Sequence, residues 1–241
     1  MIYHFDTTTS TNDDARDAKY HDGDIVWADF QTAGRGQRGH TWESRAGENL
    51  TFSVVLEPHF LPVAEQFMLL EAVALALADF FAQLGVGTKI KWTNDIYVGD
   101  RKAVGILIEH SYSAGKLSRT VVGIGINVNQ TDFSADIPNP VSLALLTGKN
   151  YDLQQLLEQY EQCLIARYSQ LKNGEWDKLQ SDYHSMLYRR DEQHPFALPD
   201  GTRFKGIIRG VKPTGDLIIE HENGEKKSYL FKEIEFIVAK N

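Results

Sequence analysis

Gly34-Arg35-Gly36-Gln37-Arg38-Gly39 decides the fold class. It stands between two strand-like runs, Ile25-Val26-Trp27-Ala28-Asp29-Phe30 and Leu50-Thr51-Phe52-Ser53-Val54-Val55-Leu56. The hexapeptide has the G-x-G-x-x-G form of a dinucleotide-binding fingerprint. That fingerprint opens a helix whose N-terminus receives a pyrophosphate, inside a strand-helix-strand unit. Here His40-Thr41-Trp42-Glu43-Ser44-Arg45-Ala46-Gly47 follows, which is loop-like and leads straight into the next strand. The two arginines are also foreign to a motif in which backbone amides hold the phosphate. The doubly wound parallel sheet is therefore rejected. Glycines let amides converge on an anion, and arginine forks pair with phosphate or carboxylate oxygens. The loop reads either as a cationic flap over a phosphorylated ligand or as a solvated surface turn.

Outward from the loop, the polar cluster Thr8-Thr9-Ser10-Thr11-Asn12 supplies residues that cap a first helix. Apolar residues at Phe67, Leu70, Val73, Leu77, Phe80 and Leu84 recur at steps of three and four. They predict a core helix over about 62–84, opened by Pro62 and closed before Gly85 and Gly87. Strand runs follow at Lys89–Trp92, Asp95–Val98, Ala103–Glu109 and Thr120–Val128, the last two apolar enough to be covered on both faces. Helices are predicted over about 151–172 and 174–188, the first capped by Asp152 with Gln155 three residues on. From Pro195 short strands alternate with turns such as Pro199-Asp200-Gly201 and Glu222-Asn223-Gly224-Glu225. The expected architecture is α+β: a mixed sheet with helices over 1–192, then a small β-barrel over 193–241.

Composition narrows the function classes. The 241 residues are 42% hydrophobic and 24% charged, enough to bury a core unaided. A single cysteine, Cys163, rules out an internal disulfide and a Cys-rich zinc site, and it reads as helix packing. The eight histidines show no H-x-x-x-H or H-E-x-x-H pattern, so no metal held by protein alone is expected. A net charge of −8 argues against a surface that neutralises nucleic-acid phosphates. Glu71, Asp79 and Gln83 make 67–86 a poor membrane span, and the N-terminus has no signal-peptide pattern. A cytoplasmic protein without membrane contact is expected.

Two further segments carry chemistry. Lys91-Trp92-Thr93-Asn94-Asp95 gathers a cation, hydroxyl and amide groups and a carboxylate at a strand end, and Lys102 opens the strand after the Gly99-Asp100 turn. Either lysine alone also fits a solvated strand end. Gly123-Ile124-Gly125-Ile126-Asn127 alternates small residues on one strand face. That face admits a flat ligand against the backbone, or a closely packed helix, and the pattern does not choose.

In this order the segments resemble the biotin protein ligases. The matches are Ser10-Thr11-Asn12, Gln31 through Gly39, Lys91 through Asp95, Lys102 through Glu109, and Gly123 through Asn129. The resemblance implies a catalytic domain related to class II aminoacyl-tRNA synthetases, followed by a barrel of the Src-homology-3 type. It implies two half-reactions: biotin and ATP, as its Mg²⁺ complex, give biotinyl-5′-AMP and pyrophosphate, and the adenylate acylates a lysine of a biotin carboxyl carrier domain. It assigns Ser10, Thr11, Asn12, Gln31, Arg35, Gly36, Gln37 and Lys102 to biotin, and Arg35, Arg38, Trp42, Lys91, Asn94, Lys102 and Asn127 to ATP and the adenylate. The catalytic set would be Arg35, Lys91, Asp95 and Lys102, with Asp95 orienting or deprotonating the incoming lysine. Asn127 would face the adenine.

Three departures stand out. Gln37 and His40 replace arginines common in the family loop, and Thr93 replaces a proline. A neutral Gln37 donates hydrogen bonds but offsets no charge, which either weakens adenylate retention or shifts it toward Arg35 and Arg38. Only nine residues precede Ser10, so the helix-turn-helix of the bifunctional members is not expected, nor is specific DNA binding. The resemblance leaves homodimerisation open. A lipoate ligase would carry Arg-Arg-x-Ser-Gly-Gly-Gly where Gly34 to Gly39 stands, an octanoyltransferase would need a cysteine nucleophile, and a sensor would bind without turnover.

Overall fold

The computed structural model describes residues 1–37 and 40–238. Seven strands form a mixed sheet: β1 (Ile2–Thr8), β2 (Ile25–Gln31), β3 (Leu50–Leu56), β4 (Lys89–Lys91), β5 (Asp95–Val98), β6 (Arg101–Ser113) and β7 (Lys116–Ile126). Their order is β1-β2-β3-β7-β6-β5-β4, with β1 parallel to β2 and every other pair antiparallel. The segment between β2 and β3 contains no described helix, as expected from the loop-like residues after Arg35. A second, antiparallel sheet comprises β8 (Gln193–Ala197), β9 (Arg203–Val211), β10 (Leu217–His221), β11 (Lys226–Tyr229) and β12 (Glu235–Phe236). Its order is β11-β10-β9-β8-β12.

One face of the large sheet packs on helices. The helix α2 (Phe67–Gln83) follows a short 3₁₀ turn at Val63–Glu65, and α4 (Leu153–Lys172) and α5 (Trp176–Met186) cover its outer side. The three-and-four periodicity suggested one buried stripe, yet α2 is buried nearly all round, because sheet and helices sandwich it. Phe80, Phe81, Phe52 and Tyr160 are closed to solvent, and the Phe80 ring meets both Phe81 and Tyr160 edge-on. Each buried phenylalanine contributes about 1.5–3 kcal/mol through lost apolar exposure. Arg167 on α4 fastens the layer: Nε and Nη2 donate to Asp79 of α2 at 2.6 and 3.1 Å, and Nη1 donates to Asp182 of α5 at 2.6 Å. Asp152 caps α4 as its position predicts, accepting from the Gln155 amide at 2.9 Å. Cys163 is buried on α4, where Gln83 Nε2 donates to its sulfur at 3.4 Å. Among the described residues no helix is long and apolar enough to cross a membrane.

Three elements depart from the sequence expectation. The strand β1 was not foreseen, since its seven residues alternate without a clear apolar face and its partner β2 lies some twenty residues away. The first helix, α1 (Thr11–Asp14), is a single turn, and Ser10 at its N-cap makes no side-chain hydrogen bond to it. A short α3 (Leu143–Thr147), capped by Ser142 through the Leu145 amide, adds a turn that no sequence expectation covers.

Glu71 is 1% exposed on α2, and its Oε2 has no hydrogen-bond partner among the described residues. The hydroxyl of Tyr183 on α5, also without a partner there, and the carboxylate of Glu65 are the polar groups that bear on it. Burial, with Glu65 adding repulsion, pushes the Glu71 carboxyl up to about 8. The folded chain therefore keeps a proton that the unfolded chain gives up from about pH 4.5. Stability linked to this group is complete below that pH and declines as the pH rises toward 8. Glu71→Gln should remove the decline, so that thermal midpoints of variant and parent diverge steadily between pH 5 and 8.5, the variant being higher. Parallel curves would show that Glu71 is ionised in the folded state.

Candidate active site

The β6–β7 ladder makes the floor of the site. Gly105 pairs with Gly125 and Leu107 with Gly123. Strand alternation turns these residues to the face opposite Val104, Ile106, Val122, Ile124 and Ile126, which belong to the core under α2. The glycines let other groups rest on bare backbone. A Cβ at Gly125 would stand 2.2 Å from the Trp42 indole, one at Gly105 2.9 Å from it, and one at Gly123 2.2 Å from Asn12 Oδ1. The glycine alternation thus receives a flat ring and a polar side chain rather than a packed helix.

The loop folds back to put Trp42 there. Gly36 N donates to His40 O at 2.9 Å, Trp42 N donates to Gly34 O at 3.0 Å, and Arg35 bridges Thr41. Arg38, expected at the adenylate, lies outside the described residues.

At one end of the floor, α1 and β2 present neutral polar groups. Thr11 N donates to Gln31 Oε1 at 2.8 Å, which leaves the Gln31 amino group to donate. Ser53 Oγ lies 2.6 Å from Asn12 Oδ1 and 2.7 Å from Thr11 Oγ1. Asn12 Nδ2 donates to Glu109 at 2.8 Å. At the other end Lys102 Nζ sits 2.7 Å from Asp95 Oδ1 and 5.7 Å from the centre of the Trp42 ring. Asn94 is fixed by its Nδ2, which donates to Ile106 O at 2.6 Å.

A small cavity of about 50 Å³ lies over this floor, and Ser10, Thr11, Asn12, Gln31, Arg35, Gly36, Gln37, Trp42, Asn94 and Lys102 all border it. Ligand pockets are typically about 300–1,000 Å³, so a bicyclic ligand enters only if Trp42 and its loop lift. Next to it lies a cavity of about 360 Å³, bordered by Trp42, Lys102, Asn127, Phe133, Ile137 and Pro140. Trp42 and Lys102 form the wall common to the two. Asn127 also ties its surroundings together, with Nδ2 donating to Val141 O at 3.2 Å.

Two expected residues are occupied differently. Lys91 does not border the small cavity. Its ammonium lies 5.2 Å from the centre of the Tyr97 ring and 4.9 Å from that of Phe236 in the second sheet. Burial lowers its pKa, Lys102 and Arg189 add repulsion, and Asp95 opposes them. The Arg35 fork is not free: Nη2 meets Asp13 Oδ1 at 2.8 Å and Glu109 Oε2 at 3.2 Å. Sequence reasoning gave Glu109 and the Phe133–Pro140 wall no role. A carboxylate closing the apolar run Ala103–Ile108 was the available signal for the first. No signal marked the second. Among the described residues no group of three or more His, Cys, Asp or Glu side chains is placed to hold a metal ion.

Gly125→Ala should expel the indole from the floor. The emission maximum of the intact chain should shift to the red, and the shift should vanish in the Trp42→Phe background. Unchanged emission would mean that the ring does not rest on Gly125.

Residues 3–127 match the Biotin/lipoate A/B protein ligase family. The bifunctional ligase/repressor BirA of Bacillus subtilis is 31% identical over 236 residues, which are 95% of this chain and 72% of that protein. The BirA of Bacillus spizizenii is 32% identical over 86% of this chain, which spans 65% of that protein's length. The biotin–[acetyl-CoA-carboxylase] ligase of Paracoccus denitrificans is 31% identical over 83% of this chain and 85% of its own. The solved biotin protein ligase from Aquifex aeolicus in complex with biotin and ATP superposes with a TM-score of 0.83 over 99% of both chains, at 24% identity, which speaks to the fold. With more than half its length matched by the family and relatives of this identity over most of it, the chain belongs to the Biotin/lipoate A/B protein ligase family.

Proposed function

We propose that the chain is a biotin protein ligase, which joins biotin to ATP and then transfers it to a lysine of a biotin carboxyl carrier domain of the acetyl-CoA carboxylase type. The observation that carries this is the shared wall: Lys102 stands between a cavity with a neutral polar end and a second cavity beside Asn127. A ligand in each would meet at its ammonium. The polar end offers a donor, the Gln31 amino group, and an acceptor, Asn12 Oδ1. A ureido group presents the complementary carbonyl and N–H. A dithiolane ring presents neither, which favours biotin over lipoate.

In the first half-reaction a biotin carboxylate oxygen attacks the α-phosphorus of ATP and pyrophosphate leaves. Two anions are brought together, so a cation between them stabilises the transition state, and Lys102 is so placed. The carboxylate of Asp95, 2.7 Å from Lys102 Nζ, holds that ammonium in position. Magnesium would arrive with ATP and offset phosphate charge. The adenine would lie toward Asn127, and Arg35, Arg38 and Lys91 would add positive potential around the phosphates. The loop carrying Arg35, Gly36, Gln37 and Trp42 would close over the adenylate and exclude water. In the second half-reaction the acceptor lysine attacks the acyl carbon and AMP leaves. A free lysine has a pKa near 10.4, and Asp95 is the carboxylate that would orient it or take its proton.

Five short antiparallel strands over Gln193–Phe236 support reading that region as a Src-homology-3-like barrel appended to a catalytic unit over 1–192. A charge of −8 supports an enzyme without a specific nucleic-acid partner, and a single cysteine, which allows no internal disulfide, fits a reducing cytoplasm.

Biotin-dependent exchange of labelled pyrophosphate into ATP tests the activity, with lipoate and octanoate alongside. Exchange with biotin alone is expected; exchange with lipoate instead would move the assignment within the family, and binding without exchange would make the chain a sensor. Lys102→Ala should abolish exchange at saturating biotin and ATP. Arg35→Ala should cost at least ~2 kcal/mol if its fork leaves the carboxylates for phosphate. Exchange near the parent rate in either variant removes that residue from the mechanism.

A further inference from the structure

The mechanism above leaves Glu109 unused, although two residues of the site, Asn12 and Arg35, and the neighbouring Arg16 converge on it. It lies on β6, on the same face as Gly105 and Leu107, just beyond the glycine floor. Its Oε2 accepts from Asn12 Nδ2 at 2.8 Å and from Arg35 Nη2 at 3.2 Å. Its Oε1 accepts from Arg16 Nη2 at 2.8 Å. Glu109 itself does not border the cavity, so it touches a ligand only through these neighbours.

A carboxylate accepts hydrogen bonds and donates none. Asn12, 4% exposed, must therefore turn its amino group toward Glu109 and its Oδ1 toward Ser53 and the Gly123 backbone. The polarity of the only carboxamide that α1 presents to the cavity is thus set by a group outside it. Arg16, joined to both Glu109 and Asp13, keeps the carboxylate in place. The same oxygen that holds Asn12 also holds Arg35, which couples the flap loop to the polar end of the floor.

We propose that Glu109 is a positioning residue for ligand recognition: it fixes Asn12 with its acceptor oxygen over Gly123, at the floor of the cavity, so that the site selects a ligand bearing an N–H there, and it anchors Arg35 beside it. This rests on reading the first ligand as biotin, whose ureido group supplies that N–H. A glutamine at 109 donates as readily as it accepts, so Asn12 could turn over and oppose its own N–H to the ligand's. Sites built around a hydrogen bond discriminate steeply when the bond is lost, because a buried polar group is left unpaired.

The test is calorimetric titration with biotin alone, without ATP, on the full chain and on Glu109→Gln, Glu109→Asp, Asn12→Ala and the Asn12→Ala/Glu109→Gln double variant. Glu109→Gln should weaken biotin binding at least tenfold. Glu109→Asp, still acceptor-only, should bind more tightly than Glu109→Gln. In the Asn12→Ala background the Glu109→Gln change should cost less than threefold, since there is no amide left to orient. Unaltered affinity in Glu109→Gln, a Glu109→Asp variant weaker than Glu109→Gln, or the same loss in both backgrounds would overturn the proposal. A parent chain that binds biotin but catalyses no pyrophosphate exchange would refute the ligase reading and leave the Glu109 comparison valid. A parent chain that does not bind biotin would overturn both.

Discussion

The absence of side chains on three residues of one β-ladder governs this site. Gly105, Gly123 and Gly125 lie on adjacent antiparallel strands, paired in register, and the groups above them approach to distances that no Cβ permits. The approach is possible because the opposite face of the same strands is anchored by Val104, Ile106, Val122, Ile124 and Ile126 under a helix buried on nearly every side. The helical layer makes the ladder rigid, and the glycines make it bare. The polar and charged groups of the candidate site are hung around that surface, with α1 and Gln31 at one end, Lys102 and Asp95 at the other, and Trp42 laid across the middle.

This arrangement separates recognition from chemistry along about one strand. The neutral end offers hydrogen-bond donors and acceptors without charge, and in the proposed reading it distinguishes ligands by hydrogen-bond polarity. The charged end supplies an ammonium already paired with a carboxylate at 2.7 Å, so an arriving anion finds its counter-charge in place rather than having to assemble it. Between the ends Trp42 belongs to the walls of both cavities. A flap whose arginine is bound to Asp13 and Glu109 in the same structure has a defined resting place, and movement of that flap exchanges one set of ionic partners for another.

Much of this was legible in the sequence, for reasons that differ by element. The strands at 50–56 and 95–98 and the capped helix from 153 announce themselves through β-branched runs and Asp152, which act locally. The loop declared itself by what followed it, since His40 to Gly47 could not begin a helix under a pyrophosphate. The glycine alternation showed that something lies close, and only the fold shows that it is Trp42 and Asn12. Strand β1 was hidden because parallel pairing to β2 is a non-local fact, and the single turn of α1 because its polar side chains serve Glu109 and Ser53 rather than the helix end. The surroundings of Lys91 were hidden for a related reason: a lysine at a strand end does not say which neighbour it faces, and here it faces the rings of Tyr97 and Phe236. Partners drawn from distant segments, as Arg35 finds in Asp13 and Glu109, leave no trace in either segment alone.

The most direct test of the account is a crystal structure of the chain grown with biotin and ATP. The account predicts the ureido group over Gly123, within hydrogen-bond distance of Gln31 Nε2 and Asn12 Oδ1. It predicts the acyl end at Lys102 Nζ, the adenine near Asn127, and the Trp42 ring lifted from Gly125. Biotin bound away from the β6–β7 floor, or seated with Trp42 still resting on Gly125, would contradict it.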